Sequence, residues 1–402
     1  MADLLPFMAL RPRADLTQAV IAPPYDVMGS DEVRHWRASH RRNITHVDVA
    51  LPEDGDTPYD TLAGRLREWI SDGSLVRDTA PTLTVQRMNF TDNLGRARTI
   101  SGVLGGLEVT SGEGASVLPH ERTTPKASTD RYDLTVATGA NLSPVWGLAL
   151  GDGLHDALGA PGEHLAVASM DDSAVGAVEH RWERIADPER IATIRAALAR
   201  DDVLIADGHH RYGVAQRIHG ELGSSLPGAS HTLAFISPLT EDQLAVAAIH
   251  RVYRGIEPQD LVDRLASGFR LVDGGRLDSP ADADRLPAQI KERNAPCLVD
   301  PSGNLLWLIA DEALVSGARD LDGARLEHVL ESTDHEVSYV HDPVEAARHA
   351  MEGQAAAAVL IRPVAISEIT RTGRTGEVMP PKSTFFSPKL PTGAVLRPLD
   401  GD

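Results

Sequence analysis

A carboxylate, two imidazoles and a guanidinium fall within five consecutive residues near the middle of this chain, Asp207-Gly208-His209-His210-Arg211. Four apolar residues precede the segment and helical spacing resumes after it, which predicts a strand, a tight turn and a helix. The glycine lets the backbone turn sharply, and the helix directs backbone N–H groups and its positive dipole end at the turn. We interpret the segment as an anion-binding site, because four such side chains are costly to bury unpaired. The alternative is a solvated surface loop.

Two further segments carry polar chemistry without apolar periodicity. The first, His120-Glu121-Arg122-Thr123-Thr124-Pro125-Lys126, combines an imidazole, a carboxylate and two cations, and we predict a functional loop. The second, Met379–Lys389, contains two lysines, hydroxyl groups and two of the chain's six phenylalanines. The alternative for the second segment is a strap packed on the core by Phe385 and Phe386, with solvated lysines.

Paired prolines near the start of the chain hold Ala22–Val27 extended, because they forbid a regular ladder. Asp26 is then presented from a stiff segment. A structural crossing with Tyr25 packed beneath it is the equally good alternative. We predict that this segment and the tail meet the 203–212 turn in space.

The composition restricts the partners and the compartment. A formal net charge of −19 over 402 residues argues against nucleic acid and anionic membranes as general partners, since both favour clustered Lys and Arg. The single cysteine, Cys297, can form no intramolecular disulfide, and we expect it to be a small buried residue. No apolar run approaches the roughly 20 residues that span a bilayer. We therefore expect a soluble, cytoplasmic protein.

Periodicity and turn residues predict an α/β chain with a mixed sheet and an additional α+β region. We expect domains at 1–240 and 241–378, with 379–402 as a strap that returns to the site. The local expectations include a glycine-rich connection at 151–160 and solvated acidic turns at Asp171-Asp172 and Asp201-Asp202. The elements that we expect are a strand at 45–51, a hairpin over 82–104, helices at 187–200 and 343–351, two helical stretches around a 274–275 loop, and a hairpin over 297–309.

Four separated motifs together resemble a bacterial family, domain-of-unknown-function family 1015. They occur in the expected order along nearly the whole chain: Ala22-Pro23-Pro24-Tyr25-Asp26-Val27, Pro119-His120-Glu121-Arg122-Thr123, Asp207-Gly208-His209-His210-Arg211-Tyr212 and Met379-Pro380-Pro381-Lys382-Ser383-Thr384. The turn at 207–211 also resembles the nucleotide-binding turn of free-serine kinases built on the ParB/sulfiredoxin fold. This second resemblance covers a few dozen residues. It implies a ParB/sulfiredoxin-like nucleotide-binding core in which Glu121 takes the role of the base.

These residues supply each part that phosphoryl transfer needs. Gly208, His209 and His210 would hold phosphate, assisted by Ser383 and Thr384 of the tail. Arg211 with Lys126 or Lys382 would neutralise charge. Asp207 would hold Mg²⁺, and Glu121, next to His120, would accept the proton. The sequence thus predicts a small-molecule kinase with a nucleotide or pyrophosphate donor and a hydroxylated metabolite, serine first, as acceptor.

Two alternatives remain open. A metal-dependent hydrolase could use Asp207, His209, His210, His120 and Glu121 as ligands, although adjacent helical histidines diverge by about 100°. A nucleotide- or phosphate-binding regulatory protein could use the same turn without turnover. The sequence gives no indication of the oligomeric state.

Overall fold

The chain forms two compact units, and both are discontinuous in sequence. The structure, a computed structural model, describes residues 2–92, 95–112, 114–119, 125–240, 245–375, 379 and 382–401, with only the backbone of 125–128, 245 and 373. The first unit contains Met1–Ala245, Thr370–Val378 and Phe386–Asp402, and the second contains Val246–Ile369 and Met379–Phe385. In the described residues no helix is both long and apolar enough to cross a membrane.

The first 240 residues alternate between strands and helices. The strands are β1 (Leu4–Leu5), β2 (Leu10–Pro12), β3 (Leu75–Arg77), β4 (Leu83–Thr91), β5 (Ala97–Glu108), β6 (Val117–Leu118), β7 (Ala140–Asn141), β8 (Val145–Ala149), β9 (Glu163–Asp172), β10 (Gly176–Ile185), β11 (Val203–Asp207) and β12 (His231–Pro238). The helices are α1 (Thr17–Val20), α2 (Ser30–Ser39), α3 (Thr45–Asp48), α4 (Pro58–Ser71), α5 (Pro125–Thr138), α6 (Leu154–Gly159), α7 (Pro188–Leu198) and α8 (His209–Leu222).

Strands become shorter and helices more frequent in the rest of the chain. Its strands are β13 (Ala245–Ala247), β14 (His250–Arg254), β15 (Phe269–Arg276), β16 (Cys297–Val299), β17 (Asn304–Ala310), β18 (Glu336–Val340), β19 (Ala357–Leu360), β20 (Phe385–Ser387) and β21 (Arg397–Pro398). Its helices are α9 (Pro258–Leu265), α10 (Leu286–Arg293), α11 (Asp322–Leu330), α12 (Pro343–Met351) and α13 (Ile366–Thr375).

A mixed sheet of nine strands, counted over the described residues, forms the centre of the first unit. Eight strands follow the order β6-β11-β8-β12-β5-β4-β10-β9, and β1 pairs with β5. The pairs β11–β6 and β12–β8 are parallel, and the others are antiparallel. Apolar residues of α6 and α7 pack on one face of this sheet together with Val203 and Ile205 of β11. Strand β11 therefore lies between strands β6 and β8, and the packed residues of α6 and α7 cover one of its faces.

The second unit has its own antiparallel sheet of six strands, in the order β15-β17-β16-β19-β14-β18. Alternate residues of its strands point to opposite faces and enter separate cores. Cys297 and Val299 pack with residues of α10 and α12, whereas Leu298 packs with residues of α9 and α11. Cys297 is free and buried as expected, and burial raises the pKa of its thiol to about 12.

Several sequence predictions are confirmed. The hairpin over 82–104 is β4–β5, the hairpin over 297–309 is β16–β17, and Asp187 caps α7 by accepting from the backbone N–H of Arg190 at 2.9 Å. The predicted α/β class with a mixed sheet is also confirmed, and the additional region contains an antiparallel sheet.

Other predictions are wrong. The expected strand at 45–51 begins with helix α3, because the Asn43 side chain accepts hydrogen bonds from both the N–H and the Oγ1 of Thr45 and so stabilises a turn. The expected loop at 274–275 belongs to strand β15, which pairs with β17. The expected connection at 151–160 contains helix α6, which covers the sheet through Leu154 and Leu158.

Candidate active site

The predicted strand, turn and helix at 203–222 are present. Strand β11 ends at Asp207, Gly208 adopts a left-handed conformation with φ 86° and ψ 29°, and α8 begins at His209. A Cβ atom on residue 208 would lie 2.9 Å from Nε of Arg211, so both the backbone angle and the space require glycine. The first backbone bond of the helix joins the Tyr212 N–H to the Gly208 carbonyl at 3.0 Å. The N–H groups before it lie at the loop end of the helix, where the dipole favours an anion.

Arg211 projects from the first turn of α8 back towards the end of the strand. Its Nη2 lies 2.6 Å from Oδ2 of Asp207 and 3.6 Å from Oδ2 of Asp26, and its Nη1 donates to the carbonyl of Pro144. The side chain is 8% exposed. Burial alone would lower its pKa, but the carboxylates of Asp26 and Asp207 raise it, so the guanidinium stays charged. The predicted approach of the N-terminal motif to the turn is therefore observed at Asp26.

Lys389 supplies a second cation to the same carboxylate. Its Nζ lies 2.7 Å from Oδ1 of Asp207, opposite the oxygen that Arg211 contacts. Burial alone would raise the pKa of Asp207, but the Lys389 ammonium and the Arg211 guanidinium outweigh it and hold the pKa well below its usual range. Asp207 is thus an ionised carboxylate that holds two cations at the end of a strand.

The tail is held in place by an acidic residue of strand β9. Asp172 accepts hydrogen bonds from Oγ of Ser387 and from the backbone N–H of Lys389, both at 2.8 Å. It also accepts from the backbone N–H of Ala174 at 2.9 Å. The prediction that Asp172 lies in a solvated turn is wrong, because Asp172 is buried. Its carboxylate fixes the two residues on either side of Pro388. Asp201, expected in a similar turn, lies 3.5 Å from Arg374.

The N-terminal motif contributes an aromatic ring beside a second buried ion pair. Arg131 Nη1 lies 3.0 Å from Oδ1 of Asp48, and its guanidinium carbon lies 4.0 Å from the centre of the Tyr25 ring. Burial raises the pKa of Tyr25 to about 12, so this phenol keeps its proton at neutral pH. Both readings of the motif therefore apply, because Tyr25 packs on Arg131 while Asp26 reaches Arg211.

A cavity of about 30 Å³ lies among Asp48, Arg131, Arg211 and residues of α5 and α8. The Oδ2 atom of Asp48 is buried and accepts no hydrogen bond from the residues that the structure describes. This volume suits one or two water molecules and is far too small for a nucleotide. The side chains of Asp207 and Asp26 are 22% and 39% exposed.

The structure describes some of the predicted site residues and not others. His209 and His210 are half-buried in the first turn of α8. His120 and Glu121 lie outside the described residues, as does the side chain of Lys126. In the second unit Lys382 is exposed, whereas Ser383 and Thr384 are buried. Within the described part of the chain, no group of three or more His, Cys, Asp or Glu residues could hold a metal ion. A Mg²⁺ ligand role for Asp207 stays a prediction.

The sequence prediction did not assign a role to Lys389 or Asp172. One signal was present, because the chain contains only four lysines, at 126, 291, 382 and 389, and three of them lie in or beside the polar motifs. Rarity alone did not favour Lys389 over Lys382. The pairing with Asp207 joins residues 182 positions apart, and no local pattern predicts such a contact.

Comparisons with known proteins give one strong match and several distant similarities. The family described as protein of unknown function (DUF1015) matches residues 4–341. No curated protein matches the chain significantly.

Among solved structures, free serine kinase in complex with AMP is 15% identical, with 71% of this chain and 87% of that chain covered and a TM-score of 0.38. A variant of free serine kinase in complex with ADP is 16% identical, with 67% and 84% covered and a TM-score of 0.38. SbnI with a C-terminal truncation, from Staphylococcus aureus, is 12% identical, with 71% and 84% covered and a TM-score of 0.38. At these scores the similarities carry no inference about fold or activity.

Proposed function

Because the chain belongs to the DUF1015 family, whose function is unknown, we propose a function from the chemistry of the 207–211 turn. The protein transfers a phosphoryl group from a nucleotide or pyrophosphate to the hydroxyl of a small metabolite, and serine is the first acceptor to test. The proposal includes the ParB/sulfiredoxin-like core and the predicted domains at 1–240, 241–378 and 379–402.

One observation carries this proposal: Asp207 holds two cations beside the N-terminus of a helix. Lys389 and Arg211 contact opposite oxygens of the carboxylate at 2.7 and 2.6 Å. Phosphoryl transfer spreads negative charge over the transferring group, and positioned cations with backbone N–H groups stabilise that charge. If Asp207 and its two cations served only stability, they would need no left-handed glycine at the start of α8 beside them.

In the proposed reaction the acceptor oxygen attacks the terminal phosphorus of the donor, and the bond from that phosphorus to the donor's bridging oxygen breaks. The acceptor proton passes to Glu121, and the leaving group departs with its negative charge. Gly208, His209 and His210 hold the donor phosphates, with Ser383, Thr384, Lys126 and Lys382 as further predicted contacts. Arg211 and Lys389 neutralise the transferring group. Mg²⁺, if required, would be bound by Asp207 together with donor oxygens.

The test is an assay of phosphoryl transfer from ATP, ADP and pyrophosphate, with and without magnesium, to serine and other small hydroxylated metabolites. Glu121→Gln should leave donor binding nearly intact and lower turnover by about 10²–10⁴-fold, since it removes general-base catalysis. The matched control is Glu292→Gln on the exposed side of α10, which should not change turnover.

Other outcomes would contradict the proposal in specific ways. Hydrolysis of a substrate without phosphoryl transfer, restored in Glu121→Gln by excess metal, would indicate the metal-dependent hydrolase. Saturable nucleotide binding without turnover of any acceptor would indicate the regulatory binding protein. Absence of binding to all three donors would remove the basis of the kinase.

A further inference from the structure

A second and larger cavity lies in the first unit, and none of the residues around Asp207 lines it. Its volume is about 260 Å³, slightly below the roughly 300–1,000 Å³ of pockets that take drug-sized ligands. It is formed by the end of β2 and the turn after it, by β3 and by the β9–β10 hairpin. Val76, which is 50% exposed, lies on its rim, so the cavity opens to solvent there.

Among the described residues, three guanidinium groups and one carboxylate line this cavity: Arg11, Arg13, Arg184 and Asp78. Arg11 and Arg184 share the Asp78 carboxylate, at 2.9 and 3.2 Å. Two exposed acids pair with the outer cations, Asp15 with Arg13 and Glu163 with Arg184. Arg11 is thus buried and shares its carboxylate with Arg184, whose side chain is 30% exposed.

Two N–H groups of this cluster are buried and have no acceptor in the part of the chain that the structure describes. Arg11 donates through Nε and Nη2 to Asp78 and through Nη2 to Thr84, but its Nη1 has no hydrogen-bond partner. Arg184 donates through Nη1 and Nη2, but its Nε has none. Arg11 is only 7% exposed. Buried guanidinium donors normally find partners, and both arginines line this cavity, so the two unsatisfied donors indicate an acceptor that is not among the described residues.

The other walls of the cavity are apolar. Leu165 and Ala166 lie on β9, and Trp182 on β10. The indole N–H of Trp182 donates to Oε1 of Gln86 at 3.0 Å, so the ring offers the cavity an apolar surface. The site thus combines positive charge, unsatisfied donors and an apolar wall.

We infer that this cavity binds a small anionic metabolite, with a carboxylate or phosphate head group on Arg11 and Arg184 and a compact apolar body against Leu165 and Trp182. The head group would accept from Nη1 of Arg11 and Nε of Arg184 and so satisfy both donors. This inference does not depend on the proposed kinase activity, because the two sites share no lining residue.

Binding is measured by calorimetry with two probes, inorganic phosphate and isovalerate, which represent the two head groups. Both titrations are repeated in Lys389→Met, a variant that weakens the proposed phosphate site and leaves the cavity intact. Saturable binding of at least one probe that persists in Lys389→Met supports the inference. Tighter binding of isovalerate than of phosphate would assign a carboxylate, and the reverse order would assign a phosphate.

Two variants test the location without disturbing Arg11, whose loss would leave Asp78 and Thr84 short of donors. Ala166→Phe fills the cavity and should abolish binding, whereas Ala177→Phe, at an exposed position of β10, should leave it unchanged. Arg184→Met should weaken binding at least ten-fold. In the wild type, the Nε–H resonance of Arg184 should shift on titration.

Two results would overturn the inference. One is wild-type affinity in both Ala166→Phe and Arg184→Met. The other is failure of both probes to bind the folded wild-type protein. Loss of binding in Lys389→Met alone would place the probe at the 207–211 turn instead. Phosphoryl transfer by a protein whose cavity binds neither probe would overturn this inference and leave the proposed function intact.

Discussion

The carboxylate of Asp207 has a separate cation on each oxygen, and this arrangement sets both its charge and its position. Arg211 is fixed by the carbonyl of Pro144 as well as by Asp207 and Asp26, so it has little freedom to leave. Lys389 contributes a compact ammonium on a flexible stem. We therefore regard Arg211 as the fixed cation, and Lys389 as the cation that would move with the phosphoryl group in the proposed reaction.

Lys389→Met should lower kcat/KM for the proposed transfer by about 10²–10³-fold, the usual effect of losing one donor to the transition state. Removal of the ammonium should also raise the pKa of Asp207 towards its ordinary value, as measured by carboxyl carbon NMR. Lys291→Met, on the exposed surface of α10, is the control. An unchanged Asp207 pKa would contradict the ion pair, whatever the activity.

The same pair predicts a pH dependence of stability. Because the folded pKa of Asp207 lies below the unfolded value of about 3.9, the contribution is complete above that pH and is lost as the pH falls through the folded pKa. The difference in unfolding free energy between the wild type and Lys389→Met should therefore be constant near pH 7 and shrink in acid. Urea titrations at several pH values measure it, and a difference that grows in acid would refute the sign.

At the scale of elements, the turn between β11 and α8 depends on one glycine. Gly208→Ala should destabilise the protein by about 1–3 kcal/mol, because an L-residue at φ 86° is strained and its Cβ would press on Arg211. Activity should fall further than stability explains, since Arg211 has to move. Urea unfolding and steady-state kinetics of the same preparation measure both effects.

Gly213→Ala is the matched control for this turn. Gly213 lies in the same helix, a Cβ atom there would meet nothing within 4 Å, and its backbone is helical. The substitution should stabilise the protein by about 0.4–1 kcal/mol through the unfolded state and leave activity unchanged. Equal destabilisation by both substitutions would show that the turn has no special requirement for glycine.

The local part of the site could be predicted from the sequence, because a strand, a glycine and a helix follow one another within twenty residues. The helix at 45–48 could not be predicted in this way, because its residues alternate as a strand would. Asn43 fixes the turn that starts this helix. The side chain of Asn43 also donates to the carbonyls of Ala19 and Ile21, which are distant in sequence. Tertiary hydrogen bonds thus outweighed a short periodicity.

At the scale of the molecule, Asp172 connects the β9–β10 hairpin to the tail and acts on the site only by positioning Lys389. Asp172→Ala should remove the acceptor for the Lys389 amide, increase its hydrogen exchange, and lower kcat while the protein stays folded. Asp171→Ala, the exposed neighbour on the same strand, should change neither. Unchanged exchange at Lys389 in Asp172→Ala would exclude this positioning role.

The long-range part of the site could not be predicted from the sequence either, because it also depends on contacts between residues distant in the chain. Asp172, Asp207 and Lys389 belong to β9, β11 and the tail, and their approach follows from the strand order and from the return of the chain to the first unit. Periodicity and turn residues did indicate the mixed sheet of the first unit. Which of the tail lysines would face Asp207 depended on the anchoring of Ser387, which no pattern in the tail encodes.

The first unit is built from three separate segments of the chain, and this has a consequence for biosynthesis. Leu10 pairs with Leu396, and Ala22 pairs with Thr392, so each early residue is bonded to one that is translated much later. Lys389 can reach Asp207 only after the ribosome has also translated the whole second unit. A nascent chain that has not reached residue 389, or one cut short before it by a premature stop codon, therefore carries the 207–211 turn without its second cation. The two-cation arrangement on Asp207 is complete only once residue 389 has been translated.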